Sequence, residues 1–439
     1  MQKKKVYAVS TAHLDTVWRW DLRKTIEEYL PDTLRKNFDL IERYPDYCFN
    51  FEGAFRYQLI EEYYPLAFAE IQNLVKRGNW YPAGACYENG DVNIPSPEAL
   101  FRNILLGNRY FQEKFGVQSK DIFLPDCFGF GQALPSVMKY AGLLGFTTQK
   151  LSWGSAYGVP FTLGYWQGVD GSRVLACPNA RSYRSKFSGD LRGEVSVIDD
   201  VAKNAFEGGL PYAQHLYGTG DVGGAPTEES VQSVCASAAE NGQKDFDVIS
   251  AKSDQIFKDI DALPDSDKDR LPVWNNELLM TSHGAGGYTA RAMGKRLNRQ
   301  CEVLADVAES TLSTAELLGV YTYPQETVTK AWERLIQHQF HDDLPGTSNM
   351  DIYNNGWNDY HTSLVQLQGE YTGAVAAIAN QLDTQWVTDC ALIVHNPLPF
   401  ARTESVEAHV RLNHNGKYLR VLDRDGHELP SQVIRKEGK

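Results

Sequence analysis

Short apolar runs that end in polar loops, with amphipathic helical segments between them, recur through roughly the first 280 residues. That alternation confines this part of the chain to a parallel α/β sheet or barrel, whose ligands sit at the carboxyl ends of the strands. Val6-Tyr7-Ala8-Val9 runs straight into the polar cluster Ser10 to Asp15, the pattern of a buried parallel strand that ends in a functional loop. Similar runs lie at Tyr47 to Phe51, Asp121 to Leu124 and Val174 to Ala176. Ser96-Pro97-Glu98 reads as a helix start, with serine able to cap and proline at the first helical position; Leu100, Phe101, Ile104 and Leu105 then share one face.

From about Ala290 the text changes to long helices. Leu297, Cys301, Leu304 and Ala308 line one face, Val328, Trp332, Leu335 and Gln339 a second, and Leu364, Leu367, Tyr371, Ala374, Ile378 and Leu382 a third, which suggests a three-helix bundle. After Cys390 the pattern turns β-like: Ala391 to Val394, then alternating Val406, Ala408 and Val410, then a turn over Asn413 to Lys417. The expected divisions are an α/β domain over 1–280, a helical bundle over 281–385, and the start of a β-domain over 390–439 that the chain cuts short.

The balance of charge narrows the function. Lys+Arg 43 against Asp+Glu 56 gives a net charge of −13, and the only basic cluster is Lys3-Lys4-Lys5, so no nucleic-acid footprint is present. The apolar stretch behind those lysines is too short for a signal peptide, and no run approaches the roughly eighteen apolar residues of a membrane span. Seven scattered cysteines without a C-x-x-C pair fit reduced thiols, and a cytoplasmic location is expected.

Three constellations could carry chemistry. His13 and Asp15, directly after the first strand, can face one side and offer an imidazole and a carboxylate to a metal; the alternative is a capping aspartate beside a surface histidine. Asp126, in Leu124-Pro125-Asp126-Cys127-Phe128-Gly129, is an acid among apolar residues that needs a partner, a proton or a metal, unless it caps the following helix. His341-Asp342-Asp343 precedes Pro345-Gly346 at a helix end, where side chains can converge on a site or where His341 simply complements the helix dipole; His338 reads as a core or helix-surface residue. Two glycine-rich loops, Tyr217 to Thr227 with Asp221 and His283 to Thr289 with Tyr288, lack the spacings of nucleotide-binding loops.

Taken in order, these segments resemble the α-mannosidases of glycoside hydrolase family 38. His13-Leu14-Asp15-Thr16-Val17-Trp18 looks like the family's opening metal motif, Leu124 to Gly129 like its nucleophile motif, and Gln339-Phe340-His341-Asp342 through Ser348 like its last metal motif. Glu88, Asp91, Asn93-Ile94-Pro95, Gln149 to Trp153 and Val394-His395-Asn396-Pro397-Leu398 also fit. The resemblance implies a seven-stranded, barrel-like parallel α/β domain, then the bundle, then a β-sandwich. It implies one Zn²⁺ per chain, with Co²⁺ an alternative, held by His13, Asp15, Asp126 and His341. It further implies a retaining mechanism with Asp126 as nucleophile, for which Asp221 is the candidate acid/base, and substrate contacts from Trp18, Lys150, Tyr288 and Asp342. The expected partner is an α-mannoside substrate, with no nucleic acid and no membrane, and a homo-oligomer is compatible with the sequence. Two rivals are a zinc-dependent carbohydrate deacetylase and a carbohydrate-binding protein without turnover.

Overall fold

The computed structural model of the chain describes residues 2–411 and 419–435. The strands are β1 (Lys4–Ala12), β2 (Phe49–Glu52), β3 (Trp80–Ala83), β4 (Asp121–Phe123), β5 (Gly129–Phe130), β6 (Gly145–Thr147) and β7 (Gly164–Gln167). They continue as β8 (Arg173–Cys177), β9 (Tyr212–Thr219), β10 (Phe246–Ser250), β11 (Val273–Trp274), β12 (Leu278–Leu279), β13 (Val421–Leu422) and β14 (Glu428–Leu429).

β1 is buried from Val6 onward because it is flanked on both edges. β9 pairs along one edge (Lys5↔Tyr212 to Ala12↔Thr219), while β10 and then β2 share the other (Lys4↔Phe246, Ser10↔Phe49). β3 extends the sheet beyond β2, and every pairing in it is parallel, which brings the carboxyl ends of its strands to one side. A second sheet runs β11-β7-β8-β6-β4, parallel except for β7 against β8.

The α/β class of the sequence reading holds. Ten of the strands form two five-stranded sheets, while β5 pairs with β12 and β13 with β14. The two larger sheets meet through isolated backbone bonds, the Ala85 N–H donating to the Asp121 carbonyl at 2.8 Å between β3 and β4, and the Leu216 N–H to the Ala180 carbonyl at 2.7 Å between β9 and the end of β8. The helix beginning at Pro97 starts as its sequence dictates, with the Ser96 hydroxyl accepting the Ala99 N–H at 3.2 Å.

Long helices span Ala292–Leu317, Gln325–Gln337 and Met350–Ala379. Gln339 lies past the end of the second one. Contacts divide the chain into one unit of residues 1–306 with 325–368 and another of 307–324 with 369–439. In the second unit the Tyr321 hydroxyl donates to Glu370 at 2.8 Å, and β13 pairs antiparallel with β14. The strands expected over 391–394 and 406–410 are not formed; a strand needs a hydrogen-bonded neighbour, and these segments have none among the described residues. The turn expected at Asn413 to Lys417 lies outside the described residues. No described helix is long and apolar enough to cross a membrane.

Candidate active site

The pairing of β1 with β9 continues past both strands. The His13 N–H donates to the Thr219 carbonyl at 3.0 Å and the Asp15 N–H to the Asp221 carbonyl at 2.8 Å, so the loop after β1 is fixed against the glycine-rich loop after β9. His13 is wholly buried. Its Nδ1 lies 2.8 Å from Oε1 of Glu52, at the end of β2, and its Nε2 lies 3.0 Å from Oδ1 of Asp15.

Asp126 follows β4. The helix it was read as capping begins only at Leu134, which removes that role. Oδ1 of Asp126 lies 2.5 Å from Nζ of the buried Lys150 and 3.1 Å from the Tyr183 hydroxyl. The Gln149 amide donates to the Pro125 carbonyl at 3.0 Å and anchors this loop. His341 enters from the turn after the helix Gln325–Gln337 and is buried rather than capping that helix. Its Nδ1 lies 3.0 Å from the Asn89 carbonyl, and its Nε2 faces Oδ1 of Asp15 at 3.4 Å and Oδ2 of Asp126 at 3.7 Å.

His13, Asp15, Asp126 and His341 thus converge, each offering a ligand atom within 4.8 Å of the others. A metal fits this group on three grounds. A tetrahedral ion with bonds of about 2.0–2.1 Å sets its ligands roughly 3.3 Å apart, close to the 3.0, 3.4 and 3.7 Å that separate these ligand atoms. Nε2 of His341 is a buried polar atom without a hydrogen-bond partner. Both histidines direct Nδ1 outward to an acceptor, Glu52 or the Asn89 carbonyl, which aims each Nε2 lone pair at the centre.

Electrostatics point the same way, because carboxylates outnumber cations here. Burial opposes charge on His13, yet Asp15 and Glu52 push its pKa up to about 10. Burial likewise opposes charge on Asp126, but His341, Lys150 and His13 hold its carboxyl well below the ordinary carboxylate range. Asp342 goes the other way, to about 7, through burial and the repulsion of Asp15 and Asp126, against the attraction of His341. A divalent cation is the natural counterweight to this surplus of negative charge.

Asp221 joins the same site through a residue that carried no sequence signal. The Tyr183 hydroxyl touches Asp221 Oδ1 at 2.8 Å as well as Asp126, so the two carboxyl oxygens are no farther apart than about 6 Å, the sum of the two contacts. Arg184 places Nη2 2.5 Å from the other oxygen of Asp221. Arg181 to Ser185 matches no motif; only its place beyond the carboxyl end of β8 could have drawn attention to it.

The remaining expected residues are placed as follows. The Tyr288 hydroxyl donates to Asp91 at 2.6 Å and accepts from the Asn93 amide at 2.7 Å. Asp342 accepts from the Thr347 hydroxyl and lies 3.7 Å from Nε2 of His341. Trp18 is half-buried, with its ring against Trp20 and under the Arg19 guanidinium. His338 is buried between Asp343 at 2.7 Å and Asp359 at 3.0 Å.

Comparison with known proteins adds an independent line. Residues 3–277 match the glycosyl hydrolases family 38 N-terminal domain, and residues 283–378 the alpha mannosidase middle domain. Human Alpha-mannosidase 2C1 is 31% identical over 345 residues, covering 78% of this chain and 32% of its own length. Alpha-mannosidase of Saccharomyces cerevisiae is 31% identical over 360 residues, covering 79% of this chain and 32% of its own. The chain therefore spans about a third of the length of these relatives. The crystal structure of an alpha-mannosidase from Enterococcus faecalis V583 superposes with a TM-score of 0.72 at 21% identity, over 87% of this chain and 43% of that one, a likeness of fold.

Proposed function

Because the chain belongs to glycosyl hydrolase family 38, we propose that it carries the catalytic site of a retaining, metal-dependent α-mannosidase that releases terminal α-mannosyl residues. The observation that carries this reading is the Tyr183 hydroxyl, which touches Asp126 and Asp221 at once beside the metal-capable cluster. A spacing under about 6 Å suits a nucleophile and an acid/base on one sugar, whereas an inverting pair needs roughly 6.5–9.5 Å to admit water between them.

In this reading His13, Asp15, Asp126 and His341 hold the ion, and zinc suits two imidazoles and two carboxylates. A bound ion would supply Lewis-acid contacts to hydroxyls of the mannosyl ring. Asp126 attacks the anomeric carbon as the glycosidic C–O bond breaks, and Asp221 gives its proton to the departing oxygen. Water then attacks the same carbon, returns a proton to Asp221 and frees Asp126.

Tyr183 suits a role between them. Burial and the two aspartates push its pKa up, so it keeps its single proton. That proton serves Asp126 while Asp221 holds one of its own, and turns to Asp221 once the latter has donated. Lys150 offsets the charge of Asp126, while Trp18, Tyr288 and Asp342 bound the sugar. Seven free cysteines accord with a reducing, cytoplasmic setting.

A fluorinated mannosyl inhibitor tests the assignment directly. Mass spectrometry of the digested protein should find the mannosyl group esterified to Asp126. A label on another residue refutes the nucleophile assignment, and a zinc-dependent carbohydrate deacetylase, which forms no covalent glycosyl-enzyme, would leave no label at all.

A further inference from the structure

A buried cation with no part in the chemistry above lies behind the metal-capable cluster. Arg56, in the helix Ala54–Tyr63, has no exposed surface. Its Nε and Nη2 donate to the Leu14 carbonyl at 2.9 and 2.6 Å, and Nη1 donates to the Glu52 carbonyl at 3.2 Å. Nη1 also lies 3.0 Å from Oε1 of Glu88, and the guanidinium carbon sits 5.8 Å from the centre of the Phe340 ring.

Each of these neighbours leads to a ligand. Leu14 stands between His13 and Asp15, and Phe340 immediately precedes His341. The side chain of Glu52 receives Nδ1 of His13. Oε1 of Glu88 accepts the Asn89 N–H at 2.7 Å, and the Asn89 carbonyl in turn meets Nδ1 of His341. The other oxygen of Glu88 accepts the Thr16 hydroxyl at 2.8 Å, on the loop that carries Asp15. One planar fork therefore touches the supports of three of the four ligands.

The backbone is shaped to admit it. Gly53 has φ +83, and a Cβ there would lie 2.1 Å from Nη1 of Arg56, so this position is both left-handed and filled by the guanidinium.

We propose that Arg56, acting through the Leu14 carbonyl and through Glu52 and Glu88, is a positioning residue that sets the geometry of His13, Asp15 and His341 and thereby the affinity for the metal. This rests on the metal-site reading above. The physical basis is that five donors in a rigid plane fix several acceptors at once, which the point charge of a lysine does not do. Outer partners of metal ligands typically govern affinity by 10- to 100-fold.

The test compares the full chain with Arg56→Lys and, separately, Glu88→Gln, which removes the carboxylate facing Nη1 of Arg56. Zinc affinity is read by competition with a chromophoric chelator, and ligand geometry by the visible absorption of the Co²⁺ form. Folding is checked by circular dichroism. The inference expects zinc binding about 10- to 100-fold weaker in each variant, with altered Co²⁺ bands. Folded Arg56→Lys that keeps both properties within about twofold of the parent overturns it. If that variant does not fold, unchanged affinity and spectrum in Glu88→Gln overturn it instead. A parent chain that binds neither ion overturns the metal reading itself, a result distinguishable from the other two.

Discussion

The Asp15 N–H donates to the Asp221 carbonyl at 2.8 Å, so the loop carrying a metal-capable carboxylate and the loop carrying the candidate acid/base share a backbone hydrogen bond. Asp15 leaves β1 and Asp221 leaves β9, parallel neighbours that end together. The strand pairing thereby transmits its register to the site: a displacement of either loop moves both carboxylates.

Asp126→Asn should lower turnover of an aryl α-mannoside by about 10⁴-fold or more while leaving the circular dichroism spectrum unchanged, since the amide keeps the volume and loses the nucleophile. Steady-state kinetics check it. Turnover near the parent's would remove Asp126 from the nucleophile role.

For Asp221→Asn the loss should depend on the leaving group. With an unactivated sugar aglycone, missing proton donation is expected to cost about 10²–10⁴-fold, and with dinitrophenolate, which needs no proton, far less in the first step. Comparing the two substrates separates these outcomes. An equal loss on both would argue for a structural role.

Metal removal should destabilise the chain. A ligand that binds only the native state at a thousand times its Kd contributes about 4 kcal/mol, so chelation is expected to lower the melting temperature by several degrees and added zinc to restore it. Identical melting with and without chelator would contradict a metal at His13, Asp15, Asp126 and His341.

His338 gives a pH signature away from the ligands. Burial disfavours its charge, but Asp343 and Asp359 raise its pKa from 6.5 to about 9, with the Tyr360 ring packed alongside. A folded pKa above the unfolded one means that the stabilisation is complete below about pH 6.5 and is lost as pH rises through about 9. Its size is about 3 kcal/mol. Urea unfolding of the parent should weaken between pH 6.5 and 10 by more than that of His338→Gln. Parallel curves would show that His338 is neutral in the native state.

Much of the site was legible because its members occur as local motifs at the ends of parallel strands. His13 and Asp15 follow β1, and Asp126 follows β4. His341 was marked by its turn, and Asp221 by a glycine-rich loop. Other parts depend on side chains far apart in sequence that no spacing records. Tyr183 meets Asp126 across 57 residues, and Arg56 reaches Leu14 across 42. The division of strands into two sheets was also hidden, since an alternating pattern reports burial but not which edges pair. Val406, Ala408 and Val410 show the converse: the alternation is present, and no neighbouring strand among the described residues completes it.

Proton NMR of the first sugar released from an aryl α-mannoside by the zinc-loaded chain tests the central claim most directly. The account predicts α-mannose as the initial product, with the β-anomer appearing only through later mutarotation. Initial β-mannose would contradict retention at Asp126 and Asp221, and no mannose at all would contradict the α-mannosidase assignment for this chain.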